Sequence, residues 1–418
     1  MKTGPFGSQL HESDYSESGI PVVMPQDIVD GKIEQAHIAR VSETHVERLR
    51  KHKLSKGDII YGRRGDIGRQ ALIREENIGW LCGTGCLRIT LGNSSVIPGF
   101  LHRYLQMPEI ISWIEGQAIG ATMPNLNTNI LRRVPVTFPK NKETQHKIAA
   151  ILSTYDDLIE NSNRRIALLE HIAEEIYREW FVRLRFPGHK KAKTVKGLPL
   201  GWEQRKISDF ARCKYGHTES AVLNDKLPKF LRVMDINKAS FISWSEVPNC
   251  PISDIELQKH KLVRDDVVIA RMADPGKVAI VEQDLPSVFA SYLIKIDYDR
   301  AQVTPYYLFY TLRADAYLSY FSGANSGATR GSINGTLIGS TKTIVPNREL
   351  LDKFEAIVRP IRAQLNNHVR KVELLRQTRD RLLPRLISGK LSVENLDIQF
   401  PPGMTEELNV EPTVTAHA

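Results

Sequence analysis

Two short arginine-bearing stretches in this chain have residue types that can grip nucleic acid. They are residues 62–68 (GRRGDIG) and residues 270–276 (ARMADPG), and each sets an arginine, Arg63 or Arg271, where an apolar run turns. A guanidinium there can reach a phosphate or take a guanine edge with two hydrogen bonds, and Arg64, Arg69 and Lys277 extend the charge. The competing reading is structural: Arg63 and Arg271 pair with Asp66 and Asp274 to hold the turn. A second candidate is residues 120–129 (GATMPNLNTN) with residues 327–336 (GATRGSINGT). Their Asn125, Asn127, Arg330 and Asn334 suit base edges, and the asparagines equally suit backbone caps. The third is residues 2–8 (KTGPFGS), in which Lys2 brings charge and glycine allows close approach to a ligand; Lys214 holds the matching position later in the chain.

These candidates come in pairs because the chain repeats itself. Residues 58–73 return as residues 266–281, with Asp58/Asp266, Arg63/Arg271, Asp66/Asp274, Gly68/Gly276 and Ala71/Ala279 identical. Asp27 and Ile28 match Asp235 and Ile236, residues 120–122 match 327–329, and Asn127 matches Asn334. A period of roughly 200 residues is too long for a solenoid, so each copy is expected to be a domain with its own core, in a pseudo-two-fold molecule.

Composition bounds the function. The 418 residues are 41% hydrophobic and 25% charged, as in ordinary globular chains, and suit two or three domains. A net charge of +9 suits a polyanionic partner. No apolar run has membrane-span length, and residues 1–15 lack a signal-peptide core, so a cytoplasmic protein without a membrane partner is expected. Of four cysteines only Cys82 and Cys86 lie close together, without a second ligand pair, and read as small buried thiols. There is no GxxxxGK[ST] loop, no Asn-Pro-Pro or Asp-Pro-Pro before an aromatic residue, and no histidine at metal-ligand or triad spacing. The residues read as those of a binder.

Each copy runs from short β-type stretches into a long helix, an α/β pattern. Strands are expected at residues 21–24, 58–61, 70–73, 87–91 and 134–138, and again at 230–233, 266–270, 278–281, 292–296 and 342–345. Short helices are expected at residues 100–106 and 306–313. The long helices carry 4-3 spaced seams. One holds Leu152, Tyr155, Ile159, Ser162, Ile166, Leu169, Ala173, Ile176 and Trp180, and the other Val358, Ile361, Leu365, His368, Val372, Leu375, Arg379, Leu382 and Leu386. Such seams pack two helices together, or pack each on its own domain. The first, over residues 143–181, makes a rod of about 55 Å at 1.5 Å per residue. Pro360 is expected to kink or interrupt the second and Pro384 to mark its end. Residues 182–196 (VRLRFPGHKKAKTVK) read as a basic linker, a solvated tether or a phosphate contact, and the tail as disordered.

Taken together, KTGPFGSQL, KGDIIYGRRGDIG with its second copy, the GAT loop before VPVTFP, TQHKIAAIL opening a long helix, and LPLGW at residues 198–202 resemble the specificity (S) subunit of type I restriction-modification systems. The resemblance runs from Lys2 to about Leu391. It implies two α/β target recognition domains, residues 1–142 and 198–347, separated by two long helices, residues 143–183 and 348–390, packed as an antiparallel coiled coil. Residues 184–197 are then the linker and 391–418 the tail. It further implies a non-catalytic subunit that reads a bipartite site on double-stranded DNA. Two modification subunits would methylate adenine with S-adenosylmethionine, and restriction subunits would use ATP and magnesium, none of these cofactors binding this chain directly. DNA contacts are expected from Lys2, Arg63, Arg64, Arg69, Asn125, Asn127, Lys214, Arg271, Lys277, Arg330 and Asn334. Subunit docking and spacing are expected from Leu152, Ile159, Ile166, Leu169, Ile176, Leu365, Val372, Leu375 and Leu382. The first copy has no equivalent of residues 198–213, so its recognition domain is expected to lack an initial strand, through truncation or a misplaced start codon. Two other readings stay open: a solitary or degenerate specificity subunit acting as a DNA-binding regulator, and an enzyme with its own nuclease or methyltransferase site.

Overall fold

A computed structural model of the chain describes residues 1–6, 9–118, 125–195, 197–323 and 332–400. It divides into two compact units, Met1–Leu158 with Leu375–Ala418, and Ile159–Leu374.

In the first unit a four-stranded antiparallel sheet is built from β1 (Lys2–Thr3), β2 (Ile59–Gly62), β3 (Gln70–Leu72) and β4 (Cys86–Ile89), in the order β1-β4-β2-β3. β2 is buried along its whole length because both of its faces are covered. Ile59 and Tyr61 enter a cluster with Leu87, Phe100, Ile148 and Leu152, while Ile60 enters another with Val23, Ile28, Ala71 and Cys82. That alternation is the period-two geometry of a strand, and it explains why the sequence reads there as a continuous apolar run. Helices α1 (Pro98–Tyr104) and α2 (Thr128–Arg132) complete the part of this unit that frames the candidate site.

The second unit repeats this plan with β5 (Ala211–Tyr215), β6 (Val267–Ala270), β7 (Val278–Ile280) and β8 (Leu293–Tyr298), in the order β5-β8-β6-β7. Val267 and Ile269 face one cluster, and Val268 and Ala270 face another. The repeat inferred from sequence is thus a repeat of strand order as well.

The long helices are α3 (Lys142–Tyr177), which ends in a π-helical turn over Arg178–Val182, and α6 (Arg348–Ile387). Between them α4 (Pro305–Arg313) and α5 (Gly335–Ser340) stand where α1 and α2 stand in the first unit. In the first unit Leu152 of α3 shares a cluster with Leu383, Leu386 and Ile387 of α6. In the second, Tyr177 and Trp180 of α3 meet Phe354 of α6, at 6.3 and 5.9 Å between ring centroids. In each unit, therefore, opposite ends of the two helices lie side by side, the antiparallel sense, and each helix also packs on the sheet's core. Every seam residue is buried or half-buried.

Several expectations need correction. Pro360 does not interrupt α6, and the helix runs three residues past Pro384 to Ile387. A proline removes one donor from the ladder, but Pro360 and Ala356, whose carbonyl loses that donor, are both exposed, so water can take its place. Residues 134–138 are not a strand, although the matching Lys342–Val345 is. Lys342–Val345 pairs with Glu203–Lys206, and the first unit contains no counterpart to that partner among its described residues. A strand needs the other side of its ladder, whatever its own pattern. The linker is no free tether: Phe186 is buried in the second unit's core, 5.3 Å from Trp202 between ring centroids, although Lys190, Lys191 and Lys193 stay exposed. The described part of the tail is also ordered onto the first unit, with Val393 buried and the Lys147 ammonium donating to the Glu394 carbonyl at 2.9 Å. No helix among the described residues is long and apolar enough to cross a membrane.

Candidate nucleic-acid interface

The Arg63 turn of the first unit is held by its own backbone. Arg63 N–H donates to the Gly85 carbonyl at 2.8 Å, and the Arg63 carbonyl accepts from Leu126 N–H at 2.9 Å. The bridge between Arg64 and Asn125 brings the second candidate segment beside the first. Arg63 Nε donates to Asn125 Oδ1 at 3.2 Å, and the guanidinium lies 5.9 Å from the centroid of the Phe6 ring. Partial burial and the adjacent Arg64 charge lower the Arg63 pKa from its ordinary value, though a guanidinium remains charged. The turn beyond it needs left-handed backbone at Gly65 (φ 80°) and Gly68 (φ 101°). At Gly68 an added Cβ would also press on Ile111 at 3.1 Å.

The second unit rebuilds this arrangement with other side chains. Arg271 N–H donates to the Tyr292 carbonyl, and the Arg271 carbonyl accepts from Ile333 N–H, both at 2.9 Å. Its guanidinium lies 5.0 Å from the centroid of Tyr215, whose hydroxyl accepts from Gly335 N–H at 2.9 Å. Nε of Arg271 is buried with no hydrogen-bond partner among the described residues. The left-handed positions recur at Ala273 (φ 64°) and Gly276 (φ 90°). Lys2 and Lys214 both lie on the edge strands β1 and β5, exposed, and Lys214 pairs with Asp297 at 2.6 Å, which lowers the Asp297 pKa.

The structural reading of the turns is corrected in detail. Arg63 binds Asn125, and the side chain that pairs with Asp66 is Arg69, at 2.5 Å. Spacing explains the exchange: Arg63 leaves at the strand end toward the loop of residue 125, while Arg69 returns across the turn to Asp66. Arg64 and Lys277 are exposed and have no ion pair among the described residues. Asn127 and Asn334 cap α2 and α5, their Oδ1 atoms accepting from Ile130 N–H at 3.0 Å and Leu337 N–H at 2.8 Å. Their side-chain oxygens are thus committed to the helix ends. Arg330 and both GAT stretches lie outside the described residues. Cys82 and Cys86 are buried and unpaired; burial pushes the Cys82 thiol up to about 12 and Cys86 well above its ordinary value, so neither is a reactive thiolate.

Sequence reasoning missed the charges that fasten the long helices within their units. In the first unit Asp156 of α3 is buried between Arg103 of α1 and Arg379 of α6, the latter at 2.7 Å. In the second, Arg362 of α6 is fully buried, donating to Glu282 at 2.9 and 2.6 Å and to the hydroxyl and carbonyl of Ser240. Tyr306 completes the network by donating to Glu282 at 2.8 Å. The signal was present, because residues 156 and 362 each directly follow an equivalent seam residue, Tyr155 or Ile361.

A family model for the type I restriction modification DNA specificity domain matches residues 8–171. The chain is 26% identical over 402 residues to the MjaIX type I restriction enzyme specificity subunit of Methanocaldococcus jannaschii, covering 92% of this chain and 89% of that protein. To the HindI specificity subunit of Haemophilus influenzae it is 22% identical, covering 87% and 93%. In fold it is similar to the crystal structure of a type I restriction-modification S subunit from M. genitalium, with a TM-score of 0.57, 17% identity and 92% of each chain covered. Both units, their paired turns and their long helices thus lie within a likeness to type I restriction-modification specificity subunits that spans nearly the whole chain.

Proposed function

We propose that this chain is the DNA-recognition and scaffold subunit of a type I restriction-modification complex, each unit reading one half of a bipartite duplex site. The observation that carries the reading is the Arg63 turn and its rebuilt copy at Arg271, on sheets of identical strand order. In both, an arginine is steadied by an aromatic ring and by backbone on either side, while cations beside it, Arg64 or Lys277, remain exposed. A steadied guanidinium is suited to base edges, where geometry decides, and free surface cations to phosphates, where charge suffices.

The chain performs no chemistry itself. Two modification subunits methylate adenine with S-adenosylmethionine, and restriction subunits use ATP and magnesium. Large apolar side chains left exposed on the long helices, Leu168 (61%), Ile172 (45%) and Leu374 (63%), suit such partners, and Leu168 and Ile172 share a helical face. The helices set the spacing of the half-sites. The test is to map methylated adenines in cells that express the chain with its modification subunits. A bipartite motif is expected, with a longer preferred spacer when helical turns are inserted at residues 161–165; an unchanged spacer rejects the ruler, and methylation without this chain rejects the recognition role.

A further inference from the structure

In the second unit His217, Glu256 and His260 bring two imidazoles and a carboxylate together, their ligand atoms all within 4.8 Å of one another. We propose that they bind one divalent transition-metal ion of the zinc class. Glu256 and His260 are one helical turn apart on Asp254–His260, hence on one face, and His217 follows the end of β5. Backbone bonds fix His217 from both sides, its N–H donating to Phe289 and its carbonyl accepting from Ser291, each at 2.8 Å. Phe289 also packs edge-on against His260, with 6.1 Å between centroids.

The distances are near those of a ligand set. Glu256 Oε2 lies 3.2 Å from His260 Nε2 and 3.9 Å from His217 Nδ1. Metal bonds of about 2.1 Å at tetrahedral angles hold donors about 3.4 Å apart, so each separation need change by no more than about 1.4 Å to close the site. Lys259 donates to the other carboxylate oxygen, Oε1, at 2.6 Å, which turns Oε2 toward the imidazoles in the manner of an outer-shell partner. Two imidazoles favour zinc, cobalt or nickel over magnesium or calcium. The bound ion ties the Asp254–His260 helix to the strand end carrying Lys214 and Tyr215, and so braces the ring against which Arg271 lies.

The test is titration of the metal-stripped full chain with Co²⁺ alone, followed by visible absorption and calorimetry. One tight equivalent with the intense absorption of a four- or five-coordinate site is expected, displaced by Zn²⁺. H217A/H260A should abolish it, and E256Q should weaken it at least about tenfold, since even outer-shell losses reach that size. The far-UV circular dichroism of both variants should match the parent's. A parent that takes up no cobalt, or a folded double variant that binds as much, overturns the site. Because no DNA is involved, the outcome is independent of whether the recognition reading stands.

Discussion

The two units fasten their long helices at the same step with charges of opposite sign. Asp156 and Arg362 each follow an equivalent seam residue, Tyr155 or Ile361, yet one is a carboxylate between two arginines and the other a guanidinium against a carboxylate and a serine. Duplication thus kept the need for a buried, fully partnered ion at this step but not its sign. A buried ion without its partner is strongly unfavourable, so each helix is keyed to its own unit. The turns differ in a milder way: Arg63 leans on Asn125 and Phe6, Arg271 on Tyr215 alone among the described side chains.

Breaking the keys should give the largest effects. Arg362→Met leaves Glu282 buried with only Tyr306 as donor, and unfolding of the second unit should become easier by about 3–5 kcal/mol. Asp156→Asn should destabilise the first unit by less, because its amide oxygen can still accept from an arginine, Arg103 keeps Gln106 as an acceptor, and Arg379 is about a quarter exposed and retains Asp380. Urea unfolding of each variant measures both, and equal losses would contradict the ranking. Adding Glu282→Gln to Arg362→Met should recover part of the loss by removing the orphaned charge.

Acid should separate the units next. Burial lowers the pKa values of His52, His102 and His146 in the first unit and that of His368 in the second. These folded-state pKa values lie below the unfolded value of about 6.5, so the unfolded chain takes up more protons as pH falls through 6.5. Stability is therefore full above that value and declines below it, by up to about 1.4 kcal/mol per pH unit for each buried histidine. The first unit should open first between about pH 6.5 and 5, as amide hydrogen exchange would record; simultaneous opening would refute the comparison.

The smallest effect concerns the turns. Gly65→Ala should cost about 1 kcal/mol in the first unit, and Ala273→Gly should relieve a similar strain in the second, less the entropy that glycine adds to the unfolded chain. Thermal unfolding of the pair should show shifts of opposite sign.

Much of this was legible because it is local or periodic. Ile59 to Tyr61 and Val267 to Ile269 read as strands from their apolar runs, and the seams of α3 and α6 read from their spacing. Residues 134–138 misread because a strand depends on a partner elsewhere in the chain. Asn127 and Asn334 were recognised as a matched pair, but base contact and helix cap share one residue type, and only the bonds to Ile130 and Leu337 show the cap. His217, Glu256 and His260 were invisible, since 38 residues lie between the first and the second.

The sequence by itself determined the duplication, the α/β class, the long amphipathic helices and the paired arginine turns, because identity at a fixed offset and hydrophobic period are written in the order of residues. Tertiary structure alone decided which charge answers which. Arg69 rather than Arg63 meets Asp66, Arg362 meets Glu282, and Asp156 meets Arg103 and Arg379. The reason is physical: an ion pair is selected by distance and burial, and these are fixed only when strands and helices remote in sequence have packed.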